Sequence, residues 1–413
     1  MTEEAPPGPS PIDDVSTPAR RESTRSEPTG SDGGRAPTRR RSSRRSRAPF
    51  TIGSATVDPG RKLEIELPVA RMITGSPLSI PVRVLHGVRE GPTVWLNAAV
   101  HGDELNGVEI IRRVLGLLDA RRLSGTLVAV PVVNVPGFMN GSRYLPDRRD
   151  LNRSFPGSHR GSMASRIARL FTDEIVSRCE VGIDLHTGSD HRTNLPQVRA
   201  DLDDPTTAEL ARAFAPPVLM HSSTRDGSLR QVAADLGVSV LLYEAGEAWR
   251  FDEPSIRTGV SGIIRVLAQL EMVPEDIQEH LRRDGNRATP GAGPLVARTS
   301  RWVRARRTGL AQLQVELGEW VERGEMVGRI HDTFGHRLSR IMAPTSGTVV
   351  GLNLDPVVNQ GDAVVHIAET DEPAETDEPA ETDQPAETDQ AGGADEAAEP
   401  DPSAIEPEGD GER

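Results

Sequence analysis

At 413 residues, 36% hydrophobic and 3% aromatic, the chain could hold two or three domains, and its formal charge of −14 is gathered at one end. Residues 369–413 carry 18 acids against one arginine, and residues 1–48 carry 10 arginines against 7 acids; the body is therefore neutral and overall acidity says nothing about a substrate. A single cysteine, Cys179, excludes an internal disulfide, and no apolar run is long enough to span a membrane, which together point to a cytoplasmic protein.

Residues 1–48, rich in Pro, Ser, Gly and Arg, cannot bury enough apolar surface to offset the entropy of ordering and read as a disordered tail. The basic run at 39–47 has no interleaved aromatics and no apolar stretch after it, so it reads as a solvated linker rather than a nucleic-acid surface or a secretion signal. Strands are predicted at 62–67 and 78–85, then a buried strand at 93–100 and a helix at 104–118 with Val108, Ile111, Val114, Leu115 and Leu118 on one face. Further strands are predicted at 127–133, 181–185 and 239–243, and helices at 163–175, 206–214 and 256–270; Cys179 lies in an apolar helical pattern as a buried, inert thiol.

This alternation predicts an α/β catalytic domain over 49–280 with a largely parallel or mixed sheet, and ligands of such sheets gather at the carboxyl ends of strands. From 290 to 368 short β pieces separated by Gly and Pro predict a small second β domain. The hexad E-T-D-E-P-A starts at Glu369 and again at Glu375, opening a low-complexity acidic tail over 369–413 that reads as disordered and solubilising.

The chemistry sits where predicted strands end. The strand at 93–100 runs into His101-Gly102-Asp103-Glu104, an imidazole and a carboxylate that can converge on one cation; alone, the pair is more often a surface histidine beside a helix-start glutamate. A third donor, His186, follows the strand at 181–185, with Asp184 two residues earlier on the same side of an extended chain and able to orient its imidazole. Two His and one Glu leave a tetrahedral zinc with one open position, and hydrolysis then needs a base. Glu244, at the end of the strand at 239–243, is the choice, with Glu247 competing. Between the ligands, Arg143 and the run Arg148 to Arg153 can polarise a scissile carbonyl or clamp a carboxylate, unless they form an exposed basic loop.

H-G-D-E, R-Y followed by D-L-N-R, D-L-H-T-G and E-A-G, in this order over roughly residues 60–275, resemble the succinylglutamate desuccinylase/aspartoacylase family of the zinc carboxypeptidase superfamily. The resemblance implies a carboxypeptidase-like α/β/α sandwich with a mixed sheet and one zinc ion per chain. It implies His101, Glu104 and His186 as zinc ligands, Glu244 as general base, Arg143 as carbonyl-polarising residue, and Asn152 with Arg153 as the carboxylate-binding pair. Arg148 and Arg149 are departures that could take the oxyanion role, and Arg192, Asn194, Gln197 and Arg199 either line the pocket or form a structural loop.

The C-terminal β region resembles this family's C-terminal segment and the lipoyl and biotinyl barrel-sandwich fold. Lys62 is the sole lysine, so no carrier lysine is available there, and the region is expected to close over or pack beside the active site. The expected activity is hydrolysis of the amide bond in an N-acyl amino acid or related small N-acyl amine. A zinc carboxypeptidase acting on a peptide C-terminus is the nearest alternative, and a non-catalytic binding module is the third. The expected partner is a small N-acyl molecule, with neither membrane nor nucleic acid, and assembly into a homo-oligomer is left open.

Overall fold

The computed structural model describes residues 47–189, 191–277, 279 and 293–371, so the tails predicted at 1–48 and 369–413 lie almost wholly outside the described residues. A hairpin of β1 (Phe50–Ile52) and β2 (Ala55–Val57) precedes the main sheet. The sheet then receives β3 (Arg61–Arg71), β4 (Pro77–His86) and β5 (Arg89–Ala98), followed by α1 (Asn106–Leu117), β6 (Ser124–Val130), α2 (Val135–Met139) and α3 (Met163–Glu174). Next come β7 (Val181–Gly188), β8 (Arg192–Ala200), α4 (Pro205–Phe214), β9 (Val218–His221), α5 (Leu229–Asp235), β10 (Ser239–Glu247) and α6 (Glu253–Gln269).

The strand at the centre explains the architecture. β7, V-G-I-D-L-H-T-G, is buried at every position, because it pairs in parallel with β5 on one side and β10 on the other and is covered on both faces. Side chains alternate along β5: Val94, Leu96 and Ala98 face an apolar cluster that includes Ile110, Ile111 and Val114 of α1, Phe214 of α4 and Ile263 of α6. Trp95 faces the opposite cluster, with Ala164, Ile167 and Phe171 of α3 and Leu229 of α5. Helices therefore lie on both faces of a mixed sheet, the α/β/α sandwich that the resemblance implied.

Residues 293–371 add β11 (Leu295–Ala297), β12 (Ser300–Arg304), β13 (Gly309–Leu313), β14 (Trp320–Val321) and β15 (Met326–His331). They end with β16 (Arg337–Met342), β17 (Gly347–Asn353), β18 (Val357–Val358) and β19 (Ala363–Ala368). This region has its own apolar core, including Val321, Val327, Ile330 and Val365. It is also built onto the main sheet, whose order is β12-β19-β17-β8-β10-β7-β5-β6-β4-β3, through the antiparallel pairing of β17 with β8.

Four elements of the catalytic body escaped the periodicity: the five-residue α2, β8, β9 and α5. β8 is a strand despite its polar sequence and Pro196: Glu244 pairs with Gln197 and Gly246 with Asn194, so Leu195 and Pro196 bulge opposite a single residue of β10, where proline needs no ladder hydrogen bond. β9 and α5 are only four and seven residues long, too short to show a period. Among the described residues no helix is long and apolar enough to cross a membrane.

Candidate active site

β5, β7 and β10 end side by side, and their ends carry the chemistry. His101 and Glu104 occupy the turn after β5, where the Glu104 N–H donates to the His101 carbonyl at 3.2 Å. Glu104 was expected in the first helical turn, yet α1 begins only at Asn106, so the carboxylate comes from a buried loop. His186 lies on β7 and Glu244 beside it in register on β10.

Glu104 lies between the two imidazoles. Its Oε1 is 2.7 Å from Nδ1 of His101, its Oε2 is 2.7 Å from Nδ1 of His186, and the Thr187 N–H donates to Oε2 at 3.2 Å. Each imidazole is backed by a second carboxylate. Nε2 of His101 is 3.3 Å from Oδ1 of Asp150, while Nε2 of His186 is 3.0 Å from Oδ2 of Asp184, close enough for charge pairing though off hydrogen-bond angle. Asp184 is held in turn by Asn97 Nδ2 at 2.6 Å.

The electrostatics follow from this crowding. Burial pushes the Glu104 carboxyl up, but His101 and His186 outweigh it and hold the group well below the usual carboxylate range. Burial pulls both imidazoles down, but Glu104 and Asp150 raise His101, and Asp184 and Glu104 raise His186 well above the ordinary histidine value. Three carboxylates, Glu104 and Asp184 buried and Asp150 half-buried, thus converge on two rings, and positive charge is what they stabilise. The donor atoms of His101, Glu104 and His186 all lie within 4.8 Å of one another, a nitrogen–nitrogen–oxygen set suited to one metal ion. A second group, Asp201, Asp203 and His221, is largely exposed, and Asp203 is already held by Arg298 at 2.8 Å.

A cavity of about 550 Å³ opens over this set. His101, Glu104, His186, Glu244, Arg143, Asn152, Arg153 and Arg199 all line it. Glu244 accepts from Asn194 Nδ2 at 2.7 Å, and its other oxygen is 3.6 Å from Arg199 Nη1. Glu247 lies outside the lining and forms an ion pair with Arg250. Arg143 donates to Asp150 Oδ2 at 2.9 Å and lies 3.5 Å from Glu104 Oε1, beside the donor set. Arg148 and Arg149 are exposed and absent from the lining. Asn152 accepts the Leu229 N–H on Oδ1 at 2.9 Å, which leaves its amide nitrogen to donate, and Arg153 is anchored to the Asn152 carbonyl at 2.5 Å.

Of the β8 residues, Arg192 and Asn194 line the cavity beside Arg199, whereas Gln197 is buried in the wall and donates to Val350. Sequence reasoning did not single out Arg225, Arg230 or Trp302, which line the cavity too. Trp302 comes from β12, so the C-terminal region borders the site; its ring stacks on His366 at 4.5 Å, with the Arg192 guanidinium 5.4 Å from its centre. Cys179 is buried but lies just past a short 3₁₀ turn rather than in a helix, and burial pushes its thiol up, as an inert cysteine requires.

Comparison with known proteins bears on the family and the fold. The family model of the succinylglutamate desuccinylase/aspartoacylase catalytic domain matches residues 90–270. The chain is 29% identical over 303 residues to the N-alpha-acetyl-L-2,4-diaminobutyric acid deacetylase of Halomonas elongata, covering 71% of this chain and 86% of that protein. The crystal structure of a succinylglutamate desuccinylase/aspartoacylase from Rhodobacter sphaeroides superposes with a TM-score of 0.66 at 27% identity, over 76% of this chain and 98% of that one. The product-bound ectoine utilization protein EutE (DoeB) from Ruegeria pomeroyi shares the fold, with a TM-score of 0.67 at 22% identity over 78% and 98% of the two chains. By its motifs, its fold and these likenesses, the region over residues 90–270 is a catalytic domain of the succinylglutamate desuccinylase/aspartoacylase family.

Proposed function

We propose that the protein is a zinc-dependent amidohydrolase that removes the acyl group from an N-acyl amino acid or a related small N-acyl amine. The observation that carries this reading is the placement of Glu244 beside His186 on adjacent strands, facing the same cavity as a buried set of two histidines and one glutamate. Zinc is the ion this donor set suits, and when bound it would polarise the scissile carbonyl and acidify a water molecule.

The chain supplies the remaining work. Glu244 takes a proton from the attacking water and delivers it to the leaving nitrogen as the C–N bond breaks. Arg143, held by Asp150, donates to the carbonyl oxygen as it becomes anionic. Arg153 and the Asn152 amide nitrogen receive the substrate carboxylate, with Arg199 on the facing wall.

The test is release of free amine by the zinc-loaded chain from a panel of N-acetyl and N-succinyl amino acids, run beside C-terminal dipeptides with and without chelator. Chelator-sensitive turnover of acyl amino acids is expected, and cleavage of dipeptides alone would make the protein a carboxypeptidase. Glu244→Gln should bind zinc with turnover reduced by about 100-fold or more; retained turnover would move the base elsewhere.

A further inference from the structure

We infer that Asn194 is a positioning residue for Glu244, seated by the C-terminal β region; the inference rests on the reading of Glu244 as the general base. Asn194 is 5% exposed and donates from Nδ2 to Glu244 Oε2 at 2.7 Å. Across one side of β8 its register partner is Gly246 of β10, and across the other it is Gly351 of β17. The side chain that meets it from β10 is Glu244, and its register partner on β17 is a glycine. A Cβ placed on Gly351 would lie 3.0 Å from Asn194 Oδ1, and Gly246 has a φ of +69°, which glycine adopts without strain. Gly351 leaves room for the amide, and that side of it belongs to the C-terminal region.

The chemistry of the amide gives the two oxygens of Glu244 different roles. Nδ2 can only donate, so it pins Oε2 as an acceptor. Oε1 has no hydrogen bond among the described residues, with Arg199 Nη1 at 3.6 Å. Oε1 is then the oxygen that moves the proton. It receives H⁺ as the water O–H bond breaks and the water oxygen bonds to the carbonyl carbon, and it returns H⁺ to nitrogen as the C–N bond breaks, leaving Glu244 as it began. Without Asn194 the carboxylate can rotate and share the proton between both oxygens.

The experiment compares Asn194→Ala, Asn194→Asp and Gly351→Ala in the full zinc-loaded chain, using the acyl amino acid turned over fastest in the panel above and measuring kcat, KM and bound zinc. Asn194→Asp is decisive because it keeps the shape and removes the donor. Both Asn194 variants should lose kcat by about 10- to 100-fold, the usual cost of losing the outer partner of a site residue, with KM and zinc content unchanged. The aspartate variant should be no better than the alanine one, and Gly351→Ala should lose kcat in the same direction. Wild-type kcat in Asn194→Asp would mean that only the volume of the side chain matters and would overturn the inference, even if Asn194→Ala failed to fold. If Glu244→Gln is inactive while Asn194→Asp is fully active, this inference fails alone; if Glu244→Gln keeps its turnover, the assignment of the base fails with it.

Discussion

Asp150 touches both halves of the site at once. Its Oδ1 lies 3.3 Å from His101 Nε2 and accepts the Asn152 N–H at 2.8 Å, while Oδ2 accepts from Arg143. Burial pushes this carboxyl up, but the His101 ring and the Arg143 guanidinium outweigh it and keep the group ionised far below its ordinary value. Asp150→Asn keeps the shape and removes the charge, so it should weaken zinc binding by about 10- to 100-fold and lower kcat as Arg143 loosens. Competition against a chromophoric chelator measures the first effect, and unchanged zinc affinity would reduce Asp150 to a cap on its own turn. His101, Glu104 and His186 stood out in the sequence as a candidate donor set because they lie at or just past the ends of buried apolar runs, where α/β sheets collect ligands. The second role of Asp150 was not, since its contact with His101 spans 49 residues and leaves no local period.

At the scale of elements, β12 brings Trp302 to the cavity, and β19 packs the buried His366 against it. The His366 ring is stacked on Trp302, bonded through Nε2 to Ser300 Oγ at 2.9 Å, and has no partner on buried Nδ1. Burial, reinforced by the Arg199 charge, pushes this histidine down to about 3 from an ordinary value of 6.5. The unfolded chain therefore binds a proton that the folded chain refuses, and stability is lost as pH falls from 6.5 toward 3. His366→Phe keeps the stack without the proton. Its unfolding free energy, followed by urea titration between pH 7 and about pH 4, should fall less steeply than that of the parent chain; parallel slopes would show that the ring is free to protonate in place. The strands and helices of the catalytic body were legible because β7 and its neighbours are apolar runs and α1 and α6 have clean helical faces. β8 was not, because the side chains that would mark a strand are polar ones facing the site, and its partner β17 lies more than 150 residues away.

For the molecule as a whole, a formal charge of −14 coexists with a cavity lined by Arg143, Arg153, Arg192, Arg199, Arg225 and Arg230 against Glu104 and Glu244. Arg143 is engaged by Asp150 and Arg199 by Glu244, whereas Arg153, Arg225 and Arg230 have no ion pair among the described residues. Burial lowers the affinity of Arg153 and Arg230 for their protons, and neighbouring arginines add to the effect. A bound anion would relieve that repulsion, and one carboxylate cannot satisfy three guanidiniums. An N-acetyl amino acid with a side-chain carboxylate should therefore bind better than N-acetyl-2,4-diaminobutyric acid, whose side chain is cationic. A charge-assisted hydrogen bond contributes about 1.5–3 kcal/mol, so the preference in kcat/KM should reach about 10- to 100-fold. Added salt should raise KM for the substrate with two carboxylates as the Debye length shrinks below about 8 Å, and raise that of N-acetylalanine, which carries one, by less. Equal kcat/KM for the acidic and basic substrates would mean that the arginines repel nothing the substrate brings, and their role would then be to hold the walls of the cavity.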